Sequence, residues 1–210
     1  SLKISNEILE VAFDSAGATF SVTDKRSGRV WSQARMNQEL VVKKAEQKDA
    51  KSLKLEIWDL GHDLTFTVEA ATPPGAPTLW VLLDGNGKLS RPLSFPQPFV
   101  TAAGTVLIIP MNEGIHYPVD DASIRPFSLI TYGGHGISMP WYGVADMKDG
   151  AGVLATILSP DDARIDLARS SSSKNTPATL CVRPQWEPSR GELKYARSIA
   201  YHFFTNGGYV

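Results

Sequence analysis

Leu9, Val11 and Phe13 alternate with Glu10, Ala12 and Asp14, and Leu53, Leu55 and Ile57 alternate with Lys54, Glu56 and Trp58. A period of two is what a strand shows when one face is buried and the other is wet. The same pattern, or a β-rich run, recurs at residues 2–4, 19–24, 29–31, 40–45, 64–70, 78–84, 106–110, 142–146, 152–158, 165–168, 179–187 and 194–204. Turn residues punctuate these runs: Ser15-Ala-Gly17, Lys25-Arg-Ser-Gly28, Leu60-Gly-His-Asp63, Asp84-Gly-Asn-Gly87 and residues 147–151. The prolines of residues 72–77 and those at 92, 96 and 98 interrupt any ladder. About a dozen strands spaced roughly ten residues apart predict an all-β fold, a large antiparallel sandwich. No strand alternates with a helical pattern, which argues against a parallel α/β sheet, and only short helical turns are expected, one of them over Ser159-Pro-Asp-Asp162. No fixed period of the propeller or β-helix kind is present.

At 210 residues the chain reads as a single domain. A chain of this length buries roughly 70% of its unfolded surface, so the core needs no covalent staple. A net charge of −1 gives no electrostatic reason to expect nucleic acid or an anionic membrane as partner. No apolar run reaches the roughly 18 residues that a membrane span requires. Cys181 is the only cysteine, which excludes an intramolecular disulfide and a Cys-rich zinc site, and its apolar surroundings suggest a buried small side chain. One cysteine leaves the compartment open, because large secreted proteins often lack disulfides. A secreted or periplasmic location is favoured, although the first residues show no signal-peptide pattern.

Residues 104–146 concentrate carboxylates, histidines, aromatics and glycines. An apolar strand enters a polar and aromatic loop carrying Asn112, Glu113, His116, Tyr117, Asp120 and Asp121. The chain returns through Gly133-Gly-His-Gly136 to Trp141 and Tyr142. Glu113 with Asp120 or Asp121 has the composition of a glycosidic carboxylate pair, which must stand about 5–10 Å apart. His116 and His135 with Glu113 could serve proton transfer at an anomeric centre. Trp141 and Tyr142, with Tyr117 and Trp186, could stack on the apolar face of a sugar. The competing readings are a solvated loop for the carboxylates and core packing for the aromatics. Gly133-Gly-His-Gly136 is a tight turn and not a phosphate loop, because neither Lys-Ser/Thr nor a helix follows it. His62 and His202 read as structural. No metal-ligand spacing is present; loop oxygens leave room for a structural calcium but do not indicate one.

The hairpin at 22–31, the segment at 109–121, Ser138-Met-Pro-Trp-Tyr-Gly143 and Leu158-Ser-Pro-Asp-Asp-Ala163 together resemble one family. It is the N-terminal β-supersandwich domain, galactose-mutarotase-like in fold, of glycoside hydrolases related to endo-α-N-acetylgalactosaminidases. The resemblance spans nearly the whole chain, and the order of the motifs carries it. It implies a non-catalytic domain that packs on a C-terminal (β/α)8 catalytic barrel and contributes to carbohydrate binding. It implies no cofactor and transfers no catalytic residue to this chain. Mutarotases of the same fold use a His acid and a Glu base, and neither motif aligns here. A stand-alone aldose epimerase and a glycan-binding module remain as alternatives. The carbohydrate-contacting candidates are Asn112, Glu113, His116, Tyr117, Asp120, Asp121, His135, Trp141 and Tyr142.

Overall fold

The computed structural model describes residues 2–131, 136–170 and 177–206, and the regular structure in them is entirely β. Strands β1 (Leu2–Ser5), β2 (Leu9–Asp14), β3 (Thr19–Asp24) and β4 (Arg29–Ser32) form a small antiparallel sheet in chain order. Strands β5 (Leu40–Asp49), β6 (Ser52–Asp59), β7 (Leu64–Ala71) and β8 (Thr78–Asp84) follow as a meander. Beyond β9 (Gly87–Lys88) and β10 (Leu93–Ser94) come β11 (Thr105–Ile109), β12 (Ile115–Pro118), β13 (Phe127–Ile130), β14 (Trp141–Asp146) and β15 (Gly152–Ile157). The chain ends in β16 (Ala163–Arg169), β17 (Leu180–Trp186), β18 (Glu192–Leu193) and β19 (Arg197–Phe204). The largest sheet has nine strands in the order β12-β11-β14-β15-β19-β8-β7-β6-β5. A third sheet runs β10-β17-β16-β13, and β18 pairs with β9.

The period-two pattern is realised directly. In β6 and β7, Leu53, Leu55, Ile57, Phe66 and Val68 point inward and are fully buried, while Lys54, Glu56 and Glu69 point out. The inner face of the nine-stranded sheet meets both smaller sheets in one continuous apolar core. Phe99 stands edge-on to Tyr201 and Phe203, with ring centroids 5.0 and 5.8 Å apart. Residues 98–101 stitch the two four-stranded sheets side by side. Ala34 N donates to Pro98 O, Val100 N to Ser32 O, and Thr101 Oγ1 to Leu180 O. The hairpin expected at 147–151 joins β14 to β15, with Gly150 at φ 72°, a conformation that glycine adopts without strain.

The structure departs from the sequence expectation in three places. Residues 115–118, expected inside a loop, form edge strand β12, with Ile115 opposite Ile109 and Pro118 opposite Val106. An edge position is where a strand tolerates proline. Residues 127–130 are also a strand. The helical turn expected at 159–162 does not form, and no helix occurs among the described residues. Thr131 Oγ1 donates to Pro160 O and Glu187 N donates to Asp162 O, so carbonyls of this segment accept from elsewhere in the chain instead.

Candidate functional site

The structure gathers polar side chains most densely in a cleft of about 510 Å3. Its floor is the face of the β10-β17-β16-β13 sheet that carries alternate residues to Ile165 and Leu167. One row across the sheet is Ser94, Gln185 and Arg164, and the next is Arg183, Asp166 and Ser128. Alternation fixes this arrangement: Ile165 and Leu167 fill the core, so Arg164 and Asp166 must face the other way. The walls come from residues 36–39, from Asp59 and His62 after β6, and from Arg91 and Pro92.

Asp166 is the hub of the floor. Its Oδ1 accepts from Ser128 Oγ at 2.6 Å and its Oδ2 accepts from Gln185 Nε2 at 2.9 Å and Arg183 Nη2 at 3.2 Å. Arg164 Nε approaches Oδ1 to 3.2 Å, and Arg164 Nη1 lies 3.2 Å from Glu187 Oε1. A buried carboxylate ringed by donors in this way is satisfied by fixed partners. Its three hydrogen bonds hold Ser128, Gln185 and Arg183 in place across the sheet. Ser94 Oγ and Arg183 Nε are buried without a protein partner, which leaves both able to meet a ligand hydroxyl or a water.

The walls are equally fixed. His62 and Asp59 side chains are buried, with Nδ1 of the ring 2.8 Å from Asp59 Oδ2 and Nε2 3.1 Å from Arg91 O. Gly61 N donates to Asp59 Oδ1, and the Arg91 and Glu39 side-chain ends lie over Gly61. Gln97 Oε1 accepts from Met36 N and Asn37 N, and Asn37 Nδ2 donates to Ser94 O. Arg91 closes one rim on Glu39 at 2.5 Å. Three arginines thus stand among Glu39, Asp59 and Asp166, and the lining pairs its charges internally. Such a surface offers paired donors and acceptors, the chemistry that recognises a neutral polyhydroxyl ligand.

The described candidates read from the sequence lie outside this cleft. Glu113 sits in the turn before β12 and Asp120 and Asp121 follow its other end. The four residues of β12 between them span on the order of 13 Å of extended backbone at ~3.3 Å per residue. Asp121 accepts from Ser123 N and Oγ; these bonds hold its carboxyl below the usual carboxylate range. Asn112 takes a left-handed turn conformation at φ 54°. His116 lies on the edge strand opposite Ile108. Tyr117 packs edge-on against Phe127 at 5.7 Å, and burial pushes its hydroxyl up. Trp141 and Tyr142 are consecutive strand residues and face opposite sides. Trp141 lies on the outer face, whereas Tyr142 is buried in the core, where desolvation raises its pKa. Trp186 is buried too, its Nε1 donating to Phe95 O at 2.6 Å. His135 and the Gly133–Gly134 turn fall outside the described residues. Cys181 is buried, and desolvation pushes its thiol up to about 12. Among the described residues no three His, Cys, Asp or Glu side chains converge as a metal site. No described helix is long and apolar enough to cross a membrane.

The sequence marks His62 as a structural turn residue and places Asp166, Arg183 and Gln185 in strand patterns, with nothing local to join them. The available signal is polar residues alternating with apolar ones in 164–167, Arg-Ile-Asp-Leu, and in 183–186, Arg-Pro-Gln-Trp.

No family model and no curated protein matches the sequence. Solved structures do match the fold. An α-N-acetylgalactosaminidase, NagBb from Bifidobacterium bifidum, superposes with a TM-score of 0.75 at 15% identity, over 99% of this chain and 36% of that one. A galactose mutarotase related enzyme from Lactobacillus acidophilus gives 0.65 at 11% identity, over 99% and 98% of the two chains. Heparan sulfate lyase HepC from Pedobacter heparinus gives 0.59 at 9% identity, over 94% and 33%. At such identities the likeness is one of fold, and the chain has the galactose-mutarotase-like β-sandwich fold.

Proposed function

We propose that the chain is the β-sandwich domain of a larger carbohydrate-active enzyme, where it supports a catalytic neighbour and contributes contacts to a neutral sugar. The observation that carries this reading is one of coverage: the whole chain corresponds to little more than a third of NagBb. The cleft supports the second half of the proposal. Asn37, Arg183 and Gln185 present amide and guanidinium groups held by their neighbours, which lowers the entropic cost of binding a polyol, and Ser94 adds a hydroxyl with no partner among the described residues. The internal pairing of Asp166 and of the His62–Asp59 couple suits binding better than proton transfer.

The 210-residue chain is therefore expected to release no aryl group from an aryl α-N-acetylgalactosaminide. Turnover that survives purification and disappears in Glu113→Gln overturns the proposal. A second reading is favoured by the Lactobacillus protein, which matches along its full length: a stand-alone aldose epimerase. Polarimetry of fresh α-galactose distinguishes the two, because acceleration of anomer exchange by this chain supports the epimerase.

A further inference from the structure

The nine-stranded sheet has an outer face of two characters. Over β5, β6 and β7 it is charged, with ion pairs Lys43–Glu56 and Lys48–Glu69 across the strands. Over β8, β19, β15, β14 and β11 it becomes apolar. One row there is Ile108, Gly143 and Leu154, ending in the mutually bonded pair His202 and Thr78, and the next is Trp141, Thr156, Ala200 and Trp80. Leu82 and Leu158 continue it, and Phe204 packs across Gly152, where a Cβ would meet the ring at 2.4 Å. Trp80 is 53% exposed and Leu158 54%. An antiparallel sheet that is solvated on one face normally alternates polar residues outward, and here it does not.

The relief matches the composition. Two depressions of about 580 and 280 Å3 lie on this face, the first walled by Trp141, Leu154 and Phe204 and the second by Trp80, Leu82 and Leu158. Small residues, Gly143, Ala200 and Ser198, lie between the large ones. Five strands at ~4.8 Å spacing and four residue rows at ~6.7 Å give about 400 Å2 between the outermost strands and rows, the size of the largest patch on a typical monomer, which is often an interaction site.

We infer that this face is the seat of a folded neighbouring domain in the same polypeptide, docked by inserting apolar side chains into the two depressions. The inference rests on the reading that the chain is one domain of a longer enzyme. A folded protein surface fits better than a sugar: Trp141, Thr156 and His202 in the first depression and Glu69, Trp80 and Ser198 in the second are the hydrogen-bonding side chains, the rest of both linings is apolar, and most ring hydroxyls would be left unpaired. A joined domain fits the size and chemistry. The same fold makes up 36% of NagBb and 33% of the HepC lyase, each of which has further chain to pack. Strand β19 delivers Phe204 onto this face, so a domain following it needs only a short tether and gains a high effective concentration.

Hydroxyl-radical footprinting of the 210-residue chain and of the full-length gene product tests the inference. Trp80, Leu154 and Leu158 are expected to be modified in the 210-residue chain and to lose that modification in the full-length product. Trp58, on the charged half, serves as control and should react equally in both. Trp80→Glu with Leu158→Glu should leave the melting temperature of the 210-residue chain unchanged and abolish co-operative unfolding with the neighbour. A full-length glycosidase whose Trp80 and Leu158 stay as reactive as in the short chain overturns the docking inference and leaves the proposed function standing. Protection in the 210-residue chain that grows with its concentration means that a second copy occupies the face, and this too overturns the inference. A gene product with no further folded domain removes the proposed function itself.

Discussion

Replacing Asp24 by Asn probes the joint between the first sheet and the large one. Asp24 has a side chain 2% exposed at the end of β3. Arg26 grips it with Nε at 2.9 Å and Nη2 at 2.7 Å, and Arg26 N donates to Oδ1 at 3.0 Å. The same guanidinium donates to Phe203 O on β19 at 2.7 Å, so the carboxylate holds the side chain that ties the sheets together. Burial works to raise the Asp24 carboxyl. The hydrogen bonds and charge of Arg26 outweigh it and hold the group below the usual carboxylate range. Asn keeps the shape and the backbone bond but loses the charge and one acceptor. Hydrogen bonds to charged groups contribute ~1.5–3 kcal/mol each. Arg26 is 38% exposed, and solvent screening reduces that contribution. A loss of about 2 kcal/mol is expected, or about 4–8 °C in Tm for a domain of this size. The pH dependence isolates the cause. A carboxyl with a depressed folded pKa contributes stability that is fully present above its unfolded value of about 3.9 and is lost as pH falls through the folded one. The difference between the wild-type chain and Asp24→Asn, measured by urea unfolding, should therefore hold from pH 7 to about pH 5 and shrink below about pH 4. A difference that stays constant into the acid range refutes the ionic account and leaves shape alone as the cause.

Two further outcomes follow from the packing. Gly152→Ala places a Cβ 2.3 Å from Val144 O and 2.4 Å from the Phe204 ring, so a loss of about 1–3 kcal/mol is expected in thermal unfolding; an unchanged Tm would mean that the strand shifts freely. Cys181 should resist a thiol reagent in the native protein at pH 8 and react at once in denaturant, because burial raises the thiol; prompt native labelling would show that the segment around β17 opens.

The strands that bury one face were legible because alternation is a local signal: β2, β6, β7 and the β14–β15 hairpin appear where the pattern puts them. Strands β12 and β13 were not, since each is four residues long and adjoins or contains proline, Pro118 in one and Pro126 before the other. Such short strands are held by their partners and carry little pattern of their own. The cleft was hidden for a different reason. Its lining comes from residues 36–39, 59–62, 91–94, 164–166 and 183–185, and only the tertiary fold brings those stretches together. Residues 104–146 looked richer because their polar groups are close in sequence. An extended strand then carried Glu113 and Asp120 apart, and alternation turned Tyr142 inward.

The order of the nine-stranded sheet bears on how the protein is made. β8 and β15 are not neighbours; β19 lies between them, pairing Val81 with Ile199 on one side and Ile157 with Ile199 on the other. Until the last strand leaves the ribosome, the β5–β8 meander and the β11, β12, β14 and β15 group are two half-sheets with open edges. Closing them brings residues near 80 together with residues near 200, a loop whose entropy is offset only at the end. Between the emergence of β15 and that of β19 the nascent chain thus carries two unpaired edges, the state in which β proteins recruit chaperones or aggregate. A chain truncated before Arg197 should lose the whole large sheet and not merely one strand of it.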